Sequence, residues 1–350
     1  MRDLQARELR LALERFAERS SVIAWGLFAA NLAIYGTLVI GAVAAPSLAL
    51  RLFCVLLAGI AISGLFVIGH DAAHGAYTDS RRWNALIGRI AFLPSLHNFS
   101  LWQVQHNRLH HRLANVKGFN SWSPLSKAEF DALPAWRRAV ERLYRSPLGF
   151  APYYLVERWW GDKFFPRRRA GTATREASLD FVLLLVFLAA FLVLLAQFGA
   201  TAILWGLVAP FLVWNALVGA TIYMHHTHTR VPWFAAIAEW RALAGDQDVT
   251  VHVQMPRWYG LLSHNIMDHP AHHLHPKIPL YRLRAAQRQL NRLLGERAVI
   301  QRFSPSYLLT TLTRCKLYDF SEHRWLDFAG RPTSACTLPT SSQAKDAAVA

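Results

Sequence analysis

Two long stretches of the chain are almost free of charge. Residues 20–69 contain one basic residue, Arg51, and no acid; residues 178–224 contain one acid, Asp180, and no base. About twenty apolar residues cross a bilayer's hydrocarbon core, so each block is long enough for two crossings. Pro46-Ser47 divides the first block and residues 197–201 (Gln-Phe-Gly-Ala-Thr) divide the second. The pattern predicts four membrane spans, near 21–45, 48–69, 178–197 and 202–224, because uncharged runs of this length are rare in soluble helices. Ahead of them, Leu9, Leu13 and Phe16 fall on one face of a charged N-terminal segment, which reads as an amphipathic packing or interfacial helix rather than a cleaved signal. The segment from Pro332 on, rich in Thr, Ser and Ala, reads as a disordered tail over 332–350, leaving 1–331 as one integral-membrane domain.

Composition agrees. Charged residues make up 17% of the 350, where a soluble domain carries about a quarter. The net charge of +16 is unevenly spread: Lys and Arg crowd the N-terminus, the segment 79–177 and everything after 229, while the short connections within each pair of spans hold almost none. That distribution follows the positive-inside rule. It predicts cytoplasmic termini, two membrane hairpins, and a helical cytoplasmic cap made of 70–177 and 225–331. The basic surface would then face anionic headgroups, and no nucleic-acid partner is indicated. Cys54, Cys315 and Cys336 have neither metal nor disulfide spacing and suit a reducing compartment.

The sixteen histidines carry the candidate chemistry. His70 and His74 follow the second predicted span; His106, His110 and His111 lie in the central segment; His225, His226 and His228 follow the fourth span; His269, His272 and His273 lie downstream. Residues i and i+4 share a helix face, so His70/His74 and His106/His110 can each grip one ion, with His111 and His273 displaced toward a second. Pro270 suits a first helical position, which puts His269 at a helix start. Spans two and four both run inward, so all these clusters fall on one side of the membrane. Isolated His97 and His323 read as satisfied polar groups, His252 and His264 as structural or orienting ones, and His275 is open.

Imidazole suits iron, zinc or copper. Eight or nine imidazoles with no cysteine do not match a four-ligand structural zinc site. Neither His70–His74 nor His106–His110 encloses the glutamate base of a zinc hydrolase. Two ions with about four or five nitrogens each would keep open positions, which favours a dinuclear redox centre using O₂. A metal transporter would need ionisable residues along its spans, and the third and fourth have essentially none.

The segments His70-Asp71-Ala72-Ala73-His74-Gly75, His106-Asn107-Arg108-Leu109-His110-His111 and His269-Pro270-Ala271-His272-His273 resemble the three histidine boxes of the membrane fatty acid desaturases. Flanking residues extend the likeness: Asn98 to Trp102, Trp122 to Lys127, Tyr144 to Gly149, Asn265-Ile266 and Ile278 to Leu283. The ensemble covers about residues 60–290 and is similar to bacterial acyl-lipid enzymes of the omega-6 (delta-12) type. It implies an all-α membrane protein with a histidine-ligated di-iron site. The implied reaction is O₂-dependent removal of two hydrogens from an acyl chain, leaving a cis double bond.

Carried onto this chain, the ligands are His70, His74, His106, His110, His111, His226, His269, His272 and His273. Asp71, Asn107, Asn265 and Asp268 would orient imidazoles. The family usually shows Gln-His after the last span; here His225 stands in the glutamine's place, so the ninth ligand is His226 with His225 as the alternative. The aromatics Phe92, Phe99, Trp102, Tyr153, Tyr154, Trp159 and Trp160 are candidates to line an acyl slot or to anchor the cap. No flavin, dinucleotide or haem fingerprint accompanies the boxes, which implies an external donor, a ferredoxin or a cytochrome b5-like carrier. The expected location is a bacterial inner membrane. A carotenoid ketolase or hydroxylase, or an acyl-chain hydroxylase, is the alternative on the same scaffold.

Overall fold

A computed structural model describes residues 2–164, 175–243 and 246–338, and it is mostly helical. Four helices are long and apolar enough to cross a membrane: α2 (Ser21–Ala44), α3 (Leu48–Ala73), α9 (Arg175–Ala196) and the continuous segment Ala200–His226. In chain order the other helices before α9 are α1 (Arg2–Leu13), α4 (Arg81–Phe92), α5 (Phe99–Gln105), α6 (Lys127–Ala132), α7 (Ala135–Tyr144) and α8 (Phe150–Tyr153). The fourth apolar segment comprises α10 (Ala200–Ile203), a π-helical turn and α11 (Ala209–His226). Beyond it lie α12 (Ile237–Leu243), β1 (His252–Gln254), α13 (Arg257–Leu262), α14 (His269–Leu274), α15 (Leu280–Leu294), β2 (Ile300–Arg302), α16 (Pro305–Arg314), β3 (Leu317–Asp319) and β4 (Arg324–Leu326).

The predicted dividers end the helices as their chemistry requires. Ser47 caps α3, its hydroxyl accepting from the Leu50 amide at 3.3 Å, and Gly199 turns the chain at φ +92° between α9 and α10. The four long helices are not equivalent. The apolar window of α3 is 72% buried, whereas those of α2 and α9 are 17% buried. So α3 is the central element, packed on α2, α4 and α11, while α2 and α9 keep large side chains outward, such as Val22, Ile40, Val186 and Val193. A surface of that kind is costly against water and natural against lipid.

Asp180, the lone acid of the second apolar block, is buried. Its carboxylate accepts from Arg89 Nε at 2.5 Å and from the Ser100 amide at 2.8 Å. One side chain therefore ties α9 to α4 and also satisfies an orphan donor at the start of α5.

Two sequence expectations need correction and a third is narrowed. The all-α description omits two small sheets, β1 parallel to β2 and β3 antiparallel to β4. Of the two roles expected for α1, packing or interfacial, the packing one is seen: it buries Leu9 and Leu13 against Leu274, Leu283 and Leu290 of α14 and α15. The segment expected to be free from Pro332 is held through 338: the Thr333 amide donates to the Trp325 carbonyl, and the Thr337 amide to that of His323. Short polar stretches that find partners in a sheet edge have no periodicity to announce them. The remainder of that tail (339–350) and positions 165–174 of the central segment lie outside the described residues.

Candidate metal centre

The nine histidines singled out in the sequence come together from four segments. His70 lies in the last turn of α3, which continues past the predicted span, and His74 is its C-cap. His226 is the last residue of α11. His269, His272 and His273 lie on α14, with Pro270 in its first turn as expected. His106, His110 and His111 follow α5 on a π-helical turn, in which the His111 amide bonds to the His106 carbonyl at 3.0 Å. Together they form two groups: His70, His74, His106, His111 and His272 in one, and His110, His226, His269 and His273 in the other. Within each group the candidate ligand nitrogens lie within 4.8 Å of one another.

This partition corrects the expected pairing of the central histidines. An α-helix would put His106 and His110 on one face. The π turn inserts a residue, so His106 shares its group with His111 and sends His110 to the other. On α14 the ordinary rule holds: His269 and His273 share a group, and His272 faces the first.

The donor set fits metal ions. His111 Nε2 lies 3.0 Å from both His106 Nε2 and His272 Nε2; His273 Nε2 is 3.1 Å from His110 Nε2, and His269 Nε2 is 3.1 Å from His226 Nε2. A neutral imidazole has one N–H and one lone pair, so a nitrogen meeting two others cannot satisfy both by hydrogen bonding. Ligands about 2.1 Å from a shared ion and at right angles would sit about 3.0 Å apart. Burial pushes His74, His106, His111, His269, His272 and His273 well below the usual imidazole pKa, and the neighbouring rings push the same way. Those six rings are thereby biased toward the neutral form, the one that ligates. His74 Nε2 is buried with no hydrogen-bond partner, as a ligand atom would be.

Three rings have their Nδ1 atom fixed by a neighbour, which leaves Nε2 for the centre. His70 Nδ1 meets Asp71 Oδ1 at 3.1 Å, His110 Nδ1 meets the Asn120 carboxamide oxygen, and His226 Nδ1 meets the Val249 carbonyl at 3.2 Å. Asp71 therefore does what the sequence suggested, and its other oxygen accepts from the Leu280 amide at 2.6 Å. The other three expected orienting residues act elsewhere. Asn107 donates to the Ala73 carbonyl at 3.0 Å, beside Gln103 at 2.7 Å, and so clamps the end of α3. Asn265 takes a left-handed conformation (φ +57°), its amide bonded to the Gly260 carbonyl. Asp268 pairs with His252 at 2.8 Å. Asn120 and Val249 escaped the sequence reading because neither stands at a helical spacing from the ring it holds.

His225 belongs to neither group. Its ring stacks on His269 (centroids 3.6 Å apart, planes at 18°), and its Nε2 lies 3.2 Å from Met267 Sδ. His97 is satisfied as expected, by Ser95 and Tyr154, whereas His323 is satisfied only at Nε2, by Glu239, its Nδ1 being buried without a partner. His275 meets Glu14 at 2.8 Å.

A cavity lies between α3, through Phe66 and Val67, and α11, through Trp214 and Val218, and reaches the imidazoles of both groups. Trp102 and Tyr154 line it; Trp102 also stacks on His106 at 4.1 Å. Phe92 and Phe99 are buried in the core instead, and Trp160 is exposed.

Residues 46–305 match the family model described as fatty acid desaturase. Among curated proteins, the chain is 30% identical over 277 residues to the sn-1 oleoyl-lipid 12-desaturase of Picosynechococcus sp., covering 78% of each chain. It is 28% identical to the chloroplastic omega-6 fatty acid desaturase of Spinacia oleracea, over 75% of this chain and 58% of that one. It is also 32% identical to the sn-1 acyl-lipid omega-3 desaturase (ferredoxin) of Synechocystis sp., over 69% of this chain and 67% of that one.

Proposed function

Since the chain belongs to the fatty acid desaturase family, we propose that it introduces a cis double bond into an acyl chain of a membrane lipid, using O₂ and two external electrons. It is an oxidoreductase that desaturates fatty acyl chains. The observation that carries the finer reading is the pair of imidazole groups at the end of a cavity between two membrane-length helices. In this reading His70, His74, His106, His111 and His272 hold one iron, and His110, His226, His269 and His273 hold the other. Iron bound there would supply O₂ activation and the oxidising power for removing two hydrogens from adjacent carbons, with water as the other product.

The chain's own residues bind, orient and exclude. Asp71, Asn120 and the Val249 carbonyl hold three rings in the orientation that presents Nε2 inward. Phe66, Val67, Trp214 and Val218 give the acyl chain an apolar slot and keep water from the reacting carbons. No side chain has to act as a base, because the reaction needs placement of a chain against the centre rather than proton transfer. The relatives' names concern acyl lipids, which leaves the carotenoid and hydroxylase alternatives unfavoured.

The four apolar helices span the membrane as two hairpins. The cap of 70–177 and 225–331 stands on the cytoplasmic face of a bacterial inner membrane, and 1–331 is one domain. The charge asymmetry supports that orientation. The electron donor is a ferredoxin, as named for one relative, or a cytochrome b5-like protein, and an acidic carrier would suit the basic face. Gas chromatography of fatty acid methyl esters from an expressing bacterial strain tests the reading. A new peak with one more double bond than the host's own acyl chains is expected. An unchanged profile from an iron-loaded, reductant-supplied protein would overturn it.

A further inference from the structure

Beside the metal centre lies a second cavity, of about 540 Å³. Its walls come from α13, α15, the β1–β2 pair and the approach to α14, and they carry four arginines: Arg257, Arg284, Arg288 and Arg302. None of the four has an ion-pair partner among the described residues; the one acid in the wall, Asp268, is already bound to His252. Arg257, Arg288 and Arg302 are exposed and Arg284 is half-buried, so water screens their mutual repulsion, and an anion placed among them would be attracted by all four.

The site is built rather than incidental. Arg284, Gln287, Arg288 and Asn291 recur at i, i+3, i+4 and i+7 along α15, which is one helix stripe. Strand register sets Arg302 opposite Gln254. Under the arginines runs a chain of hydrogen bonds. Asn291 Nδ2 donates to His252 Nδ1 at 2.9 Å, Gln287 Nε2 donates to Asn291 Oδ1 at 2.7 Å, and the Ala271 amide of α14 donates to Gln287 Oε1 at 2.8 Å. The floor of the cavity is therefore bonded to the helix that carries His269, His272 and His273.

The position of α13 indicates what kind of anion enters. Trp258, Leu261 and Leu262 form one outward face and are exposed. Tyr259 and Ser263 face the cavity that reaches the imidazoles, and Arg257 and Gly260 face the basic one. α13 packs beside α3, and on the membrane reading above a short helix with an apolar outer face there would sit where hydrocarbon meets headgroups. The same helix divides an apolar slot from an arginine-lined hollow, which matches the two parts of an amphipathic lipid.

We propose that the cavity walled by Arg257, Arg284, Arg288 and Arg302 binds the phosphate of an anionic phospholipid headgroup. The inference rests on the membrane reading above and identifies a headgroup site alongside the acyl slot. Guanidinium groups suit this task because their forked donors match phosphate oxygens in pairs.

The test uses the full-length protein in nanodiscs of phosphatidylcholine, with phosphatidylglycerol titrated in and bound lipid read by native mass spectrometry after release. The wild type is expected to retain phosphatidylglycerol, and R284Q/R288Q to retain it roughly tenfold less. R292Q, an exposed arginine outside the cavity, should behave as wild type. If the double variant fails to fold, R257Q/R302Q at two exposed positions carries the same expectation. Equal retention by the folded cavity variants and the wild type would overturn the proposal. So would binding of inorganic phosphate that the variants lose while phosphatidylglycerol retention is unchanged, which would mark a free-phosphate site. Fatty acid profiles from the same strains keep the two readings apart: selective lipid retention without desaturation would sink the enzymatic reading and leave the headgroup site standing.

Discussion

His225 and His226 are adjacent, yet α11 turns them about 100° apart, and that rotation gives them different work. His226 sends Nε2 into the second group while its Nδ1 rests on the Val249 carbonyl; His225 lies flat on His269 and touches Met267. Replacing His226 with Ala should abolish desaturation and empty the second group. Replacing His225 with Gln removes the stacking on His269 and the ring's contact with Met267 but no candidate ligand, and should leave activity within a few-fold of wild type. Iron per chain and fatty acid profiles read both, and the opposite pattern would exchange their roles. Asn120 gives a subtler case. Leucine there fills similar space but leaves His110 Nδ1 without its oxygen. The expected result is roughly 10–100-fold weaker iron retention against a chelator, the range for losing a ring's orienting partner. Retention equal to wild type would show that packing alone orients the ring.

At the scale of elements, the long helices were readable because charge-free runs of that length have few other uses, and because Ser47 and Gly199 mark their breaks. The histidine boxes were readable as clusters, but their partition was not. It depends on a π turn at His106–His110, and the residues there carry no spacing that distinguishes a five-residue return from a four-residue one. Chemical cross-checks are available. If His106 and His111 serve the same ion, H106A/H111A should keep about half the wild-type iron, whereas H106A/H110A damages both groups and should lose nearly all of it. Equal losses in the two double variants would refute the partition. Asp180 was visible only as an odd acid in an apolar block; its role needed the fold, since Arg89 and Ser100 lie far away in the sequence. Asp180→Ala removes a carboxylate from two donors, and the pair is partly shielded. A cost of about 1–3 kcal/mol is expected, seen as a lower melting temperature in detergent. An unchanged melting temperature would mean that α5 holds its place without that anchor.

For the whole molecule, the two groups tie together segments that the chain order separates widely. His70 and His74 end α3, His106 to His111 follow α5, His226 ends α11, and His269 to His273 form α14. Ions in both groups would cross-link four segments at the point where the membrane-length helices meet the rest of the chain. Without them, neutral rings whose lone pairs converge at about 3 Å repel, so the apo form should relax there first. The four long apolar helices are held by burial and their own backbone hydrogen bonds and need no metal. Stripping iron with a reductant and chelator should therefore leave far-UV helicity nearly intact. The melting temperature should drop by several degrees, because a ligand at 100 times its Kd stabilises by about 2.7 kcal/mol. New protease cuts should appear between 106 and 131 and near 227–250, beside the histidines, and not within α3 or α11. Identical melting and cleavage with and without two irons per chain would show that the histidine-bearing segments hold their shape unaided and that the imidazoles serve chemistry alone.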